Sequence, residues 1–130
     1  MLNGLDHVAI LVADTEVELE LYRDRLGLPV LFSEVVNDGA FKLTHLDLGN
    51  THLQLVEPLL PEHPLREHLK RNGPGLHHIC FAVGNLKEAV GQLQIAGFEA
   101  APLHQGTKGK RAVFLKKETT GGVQMELTGE

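Results

Sequence analysis

The sequence predicts an α+β fold: two paired βαβββ modules forming a curved, open barrel-like sheet around a metal cleft. Three observations predict it. Short apolar runs of strand length alternate with amphipathic segments that close on a glycine. The order strand, helix, strand, strand, strand occurs twice along the chain. Polar residues also recur at matched places in the two copies. His7 in Asp-His-Val-Ala-Ile matches His78 in His-His-Ile-Cys-Phe, and Gln54 in His-Leu-Gln-Leu matches Glu126 in Gln-Met-Glu-Leu, at the same spacing to within one residue. One domain is expected over residues 1–130, with module one at about 4–58, a connector at about 59–75 and module two at about 76–130.

Residues 4–12, Gly-Leu-Asp-His-Val-Ala-Ile-Leu-Val, are too few for a helix and suit a buried strand. Asp14 and Thr15 offer N-cap side chains to a helix running to Leu26, with Val17, Leu21 and Tyr22 inward and Gly27 as its stop. After Pro29 come strands at about Val30–Val36, Phe41–Leu48 and Thr51–Glu57, joined by turns at Asn37-Asp38-Gly39 and Gly49-Asn50. Pro58, Pro61, Pro64 and Pro74 then bracket a short basic helix from Leu65 to Asn72. The opening pattern returns in a strand over Leu76–Val83, an N-cap at Asn85 and a helix over Leu86–Ala96 with Ala89, Val90 and Leu93 inward, ended by Gly97. Strands at Phe98–Leu103, Arg111–Leu115 and Val123–Thr128 complete the second copy, with Gly106–Gly109 and Thr119–Gly122 as turns. A module this small does not cover its own sheet face, so pairing with its copy leaves helices outside and a concave cleft.

Composition removes several function classes. At 42% hydrophobic and 22% charged the chain is neither disordered, collagenous nor a coiled coil. Twelve Lys plus Arg against seventeen Asp plus Glu give a net charge of −5, which provides no overall positive field for nucleic acid or an anionic membrane. Cys80 stands alone in Ile-Cys-Phe-Ala-Val, so it forms no internal disulfide and reads as a buried thiol in a reducing, cytoplasmic protein. No leader-like segment opens the chain and no apolar run approaches the ~18 residues of a membrane span, so a soluble, untagged protein is expected. Lys108, Lys110, Arg111, Lys116 and Lys117 gather positive charge in an otherwise acidic chain, which favours an anionic small molecule. The Gly106–Arg111 stretch is a hairpin turn and not a phosphate loop, because strand and helix do not flank it in that order.

The repeated polar residues carry the chemistry. A polar side chain inside an apolar strand needs a partner, since an unpaired one costs on the order of 1–3 kcal/mol. Four such groups at matched positions, His7, Gln54, His78 and Glu126, point to a metal. Two imidazoles, a carboxylate and an amide oxygen suit a divalent ion such as Co²⁺, Ni²⁺, Mn²⁺ or Zn²⁺, with positions left for substrate. Glu126 is a carboxylate where core packing would favour an apolar residue. Gln54 equally suits a hydrogen bond to a strand edge or to a ligand histidine. His77 alternates to the face opposite His78. His63 and His68 do not share a helix face and are read as surface residues, whereas His45, His52 and His104 are read as solvated or packed.

Through Leu5-Asp-His-Val-Ala, Leu21-Tyr-Arg-Asp-Arg-Leu-Gly-Leu, Leu48-Gly-Asn-Thr-His-Leu-Gln-Leu-Val-Glu-Pro, Gly75-Leu-His-His-Ile-Cys-Phe, Gly109-Lys-Arg and Gly121-Gly-Val-Gln-Met-Glu-Leu, nearly the whole chain resembles the vicinal oxygen chelate superfamily. Within it, the chain most resembles the methylmalonyl-CoA epimerases. That resemblance implies His7, Gln54, His78 and Glu126 as metal ligands. It also implies an isomerase that removes the proton between a thioester carbonyl and a carboxylate, with the cation stabilising the enolate charge. The implied partner is a small anionic acyl-thioester, and the implied assembly is a homodimer. Inversion needs proton transfer on both faces of the carbon, with Glu126 as one acid/base. Some family members carry a glutamate on the second strand, but this chain reads Phe41-Lys42-Leu43-Thr44 there, which leaves Lys42, His45 or a metal-bound water as the second. The His-Pro of the family's penultimate strand is replaced by Lys116-Lys117. A glyoxalase I-type isomerase, a non-catalytic binding protein of the same fold and a ring-cleaving dioxygenase are the alternatives.

Overall fold

The computed structural model describes residues 1–130. The chain forms two compact units, residues 8–77 and residues 78–130 joined by Met1–His7. Strand β1 (Leu2–Leu11) therefore passes from one unit to the other between His7 and Val8.

In the unit of residues 8–77, helix α1 (Thr15–Leu19) starts on Asp14, whose carboxylate accepts hydrogen bonds from the Glu16 and Val17 amides. It continues as a π-helical segment over Glu20–Arg25, and Gly27 at φ 77° ends it. The sequence placed Val17, Leu21 and Tyr22 inward. Tyr22 does pack on the core beside Leu19, but the buried residues of the first turn are Thr15 and Leu19, and Val17 is 58% exposed. Thr15, Leu19 and Tyr22 follow the 3.6-residue period, and Val17 falls between Thr15 and Leu19 on the outer side. Strands β2 (Val30–Val36), β3 (Phe41–Asp47) and β4 (His52–Pro58) form an antiparallel meander, and the strand order is β2-β3-β4-β1. The β2–β3 turn runs through Asn37, Asp38 and Gly39, all at positive φ, where Asn, Asp and Gly are the tolerated residues.

Alternation gives this half-sheet two faces. Ile10, Val12, Leu46, Leu53 and Leu55 pack with Leu19 of α1. Ala9, Leu11, Val36, Leu43 and Val56 pack with Leu69 of α2 (Pro64–Asn72) on the other. His45 and Gln54, paired across β3 and β4, share this second face.

In the other unit, β5 (Gly75–Val83) is followed by α3 (Leu86–Ile95), capped by the Asn85 side chain accepting from the Glu88 amide. Leu86, Ala89 and Leu93 pack on Val113, Leu115 and Leu127. Strands β6 (His104–Gln105), β7 (Arg111–Phe114) and β8 (Met125–Gly129) follow in the order β1-β5-β8-β7-β6, with β5 and β8 parallel. His78, Phe114 and Glu126 alternate away from the α3 face. The strand expected at Phe98–Leu103 is reduced to a single Ala100–Leu115 bridge, with β6 beginning at His104. Pro102 has no amide N–H to offer β7, so the ladder cannot run through it. The backbone of Gly129 lies so close to Val83 that a Cβ there would overlap the Val83 carbonyl oxygen. No helix is long and apolar enough to cross a membrane.

Candidate metal centre

Three of the four sequence-predicted ligands meet in one unit. His7 on β1, His78 on β5 and Glu126 on β8 are all buried, at 2%, 8% and 5% exposure. Their donor atoms form a small triangle. His7 Nε2 and His78 Nε2 are 3.3 Å apart, and Glu126 Oε1 lies 3.3 Å from the first and 3.1 Å from the second. Metal–donor bonds of about 2.0–2.2 Å imply donor–donor edges of roughly 2.8–3.6 Å in octahedral or tetrahedral shells. The triangle has that size, so these residues fit a divalent cation.

The surrounding groups fix how the triangle is presented. His7 Nδ1–H donates to Asp6 Oδ2 at 2.8 Å, which makes Nε2 the nitrogen that faces His78 and Glu126. Glu126 Oε2 accepts from His104 Nε2–H at 2.6 Å, and the His104 ring lies flat on Phe114, with centroids 4.8 Å apart and planes at 15°. Phe114 in turn packs edge-on against His78, at 5.1 Å and 87°. Burial alone would raise the Glu126 pKa, but the hydrogen bond from His104 and the nearness of His7 and His78 outweigh it and hold the carboxyl well below its usual range. Burial alone would lower the His7 pKa, yet Asp6 and Glu126 outweigh it and raise it above 6.5. Each shift favours the charged form. A carboxylate facing two imidazoles in a buried pocket is a strong attractor for positive charge, supplied either by a proton or by a metal ion.

Cys80 pairs with Glu126 across β5 and β8 and stands close enough to Asp6 and His7 to complete a second trio of metal-type groups. Its thiol is pushed far upward by burial and then by the charges of Glu126 and Asp6, so it stays protonated and packs as a small apolar group.

Gln54, the fourth predicted ligand, belongs to the other unit, where it is 3% exposed on β4. Its Nε2–H donates to His45 Nε2 at 3.0 Å, and His45 Nδ1 lies 3.0 Å from His52 Nδ1. Phe32 stacks on His45, with centroids 4.6 Å apart and planes at 13°. His45 is fully buried, with both ring nitrogens engaged. Lys42 pairs with Glu57, and alternation sets it on the face opposite Gln54, which removes Lys42 from the acid/base candidates. His63 is not a plain surface residue. Its Nδ1 caps α2 by accepting from the Leu65 amide at 3.1 Å.

Two site residues escaped the sequence reading. Asp6 adjoins His7, and strand alternation would turn neighbouring side chains apart. His104 follows the Pro102 break, in a strand too short to have a period. The adjacency of Asp6 to a candidate ligand histidine was the available signal for the first, whereas the second had none.

Residues 6–114 match the profile of the glyoxalase/bleomycin resistance protein/dioxygenase superfamily. The chain belongs to this superfamily. Mitochondrial methylmalonyl-CoA epimerase of Mus musculus is 36% identical, over 97% of this chain and 72% of that protein. The crystal structure of methylmalonyl-CoA epimerase from Mycobacterium tuberculosis superposes with a TM-score of 0.90 at 30% identity, covering 98% of this chain and 88% of that one. A Streptomyces coelicolor methylmalonyl-CoA epimerase variant, solved with 2-nitronate-propionyl-CoA, has a TM-score of 0.88 at 28% identity over 100% of this chain and 96% of its own. The α+β fold and the superfamily expected from the sequence are therefore those the chain has.

Proposed function

We propose that this superfamily member is a metal-dependent epimerase that interconverts the R and S forms of methylmalonyl-CoA, with His7, His78, Glu126 and Gln54 as metal ligands. The observation that carries the reading is the buried His7–His78–Glu126 triangle, in a chain similar along nearly its whole length to methylmalonyl-CoA epimerases. Gln54 joins the set through its matched position in the internal repeat. When bound, Co²⁺, Ni²⁺, Mn²⁺ or Zn²⁺ supplies a Lewis acid for the charge that develops on the thioester and carboxylate oxygens.

The chain's own residues then divide the work. Asp6 keeps the His7 proton on Nδ1, so that Nε2 is the nitrogen presented to a metal. Glu126 is held ionised and takes the proton from the acidic carbon, while His104 keeps a hydrogen bond on its outer oxygen. The exposed side chains of Lys108, Lys110 and Arg111 offer positive charge to the anionic parts of an acyl-CoA. A cytoplasmic homodimer belongs to the same reading, supported by small size and by edge strand β2, where Val35 is 58% exposed.

Proton NMR of methylmalonyl-CoA in deuterated water, with metal-loaded and EDTA-treated protein, tests the proposal. Metal-dependent loss of the α-proton signal with stereochemical inversion is expected. No exchange above background, with metal confirmed bound, would reject the substrate and shift the assignment toward hemithioacetal isomerisation of the glyoxalase I type.

A further inference from the structure

The two units fasten the last-strand polar residue of their module with the same parts in exchanged positions. In the unit of residues 8–77, the cross-strand partner of Gln54 is His45, and Phe32 of the next strand stacks on it. In the unit of residues 78–130, the cross-strand partner of Glu126 is Phe114, and His104 of the next strand stacks on it. Histidine and phenylalanine have traded strands, yet in each case a histidine clamped on a phenylalanine hydrogen-bonds one terminal atom of the polar residue. We propose that His45 and His104 are positioning residues of the metal centre, each holding one terminal atom of Gln54 or Glu126 so that Oε1 is the atom presented to a divalent cation. This rests on the ligand assignment above.

The hydrogen-bond chemistry dictates opposite proton placement on the two rings. An amide nitrogen donates and cannot accept, so His45 Nε2, 3.0 Å from Gln54 Nε2, carries a lone pair and the His45 proton sits on Nδ1. That proton is donated to His52 Nδ1 at 3.0 Å, which gives a directed chain from Gln54 through His45 to His52. A carboxylate accepts, so His104 carries its proton on Nε2. Stacking at 13° and 15° sets each ring plane, and with it the aim of the nitrogen. The consequence differs between the two ligands. An amide has a single oxygen, and turning it over offers the metal an N–H₂ group with no lone pair to give. A carboxylate turned over still offers an oxygen. His45 is therefore the more important of the two for metal affinity.

Long-range ¹H–¹⁵N correlation of the histidine side chains, combined with Co²⁺ titration of EDTA-stripped protein, tests this directly. Expected are an Nδ1–H proton on His45 and an Nε2–H proton on His104 in the wild type. His45→Leu is expected to weaken Co²⁺ binding by about tenfold and to alter the cobalt d–d absorption. His45→Gln, which restores an acceptor at similar reach, should recover most of that loss, and His104→Leu should cost less than His45→Leu. Apo melting temperatures, recorded in parallel, separate positioning from packing. A His45 proton on Nε2 would overturn the proposal, as would equal losses in His45→Leu and His45→Gln or Co²⁺ affinity unchanged in a folded His45→Leu. If His45→Leu does not fold, the wild-type proton positions decide alone. Wild-type protein that binds no Co²⁺ would overturn both the metal centre and its positioning, whereas Co²⁺ bound identically by wild type and His45→Leu overturns the positioning alone.

Discussion

The last strands of the two modules occupy matched places in the repeat but differ in charge. On β8, Glu126 is an ionised carboxylate that faces His7 and His78 and accepts a hydrogen bond from His104, whereas on β4 Gln54 is an uncharged amide that donates to His45, which in turn contacts His52. The difference shows how a duplicated unit can diverge: the charged copy is suited to attract positive charge, and the neutral copy keeps a polar group at the matched place without adding charge. The fastening of helix to sheet differs too. In the unit of residues 8–77, Glu57 Oε1 accepts from both the amide and the hydroxyl of Thr15, at 2.8 and 2.7 Å. In the other, the backbone carbonyl of Glu130 receives the Leu86 amide at 2.8 Å, close to the tight passage of Gly129 against Val83.

Making the two copies alike in charge gives the largest effect. Glu126→Gln is expected to weaken divalent-metal binding by more than about 100-fold, beyond the span typical of outer residues, and to reduce exchange to background, as read by calorimetry and NMR. In wild type, metal at a hundred times its Kd adds about 2.7 kcal/mol of stability by mass action, an increase in melting temperature that Glu126→Gln should lose. Gly129→Ala forces a methyl group against the Val83 carbonyl and is expected to cost about 1–3 kcal/mol in urea unfolding. Asp6→Asn, which no longer secures the His7 tautomer, should lower metal affinity by roughly tenfold while leaving the fold intact. Lys42→Ala, on the opposite face from Gln54, should leave exchange rates within about twofold, because surface changes away from a site have effects within about 0.5 kcal/mol.

What was legible in the sequence follows from periodicity. His7, His78 and Glu126 stood out because strand alternation is strict and a polar residue in an apolar run breaks it at repeated places. Gln54 was legible as a position, but its hydrogen bond to His45 depends on the β3–β4 register, which a single sequence does not state. Val17 is apolar but falls between the inward positions Thr15 and Leu19, so residue type assigned it to the wrong face, and no residue type announces the π-helical segment after Leu19. His104 reaches Glu126 only because Pro102 ends the expected strand and the chain resumes two residues later.

The most direct test of the central claim is stepwise addition of Co²⁺ to EDTA-stripped protein while the α-proton exchange of methylmalonyl-CoA is followed in deuterated water. Exchange is predicted to rise in proportion to added metal and to level off at one equivalent per chain, with Glu126→Gln flat throughout. Full exchange in the stripped protein, or exchange in Glu126→Gln equal to wild type, would contradict it.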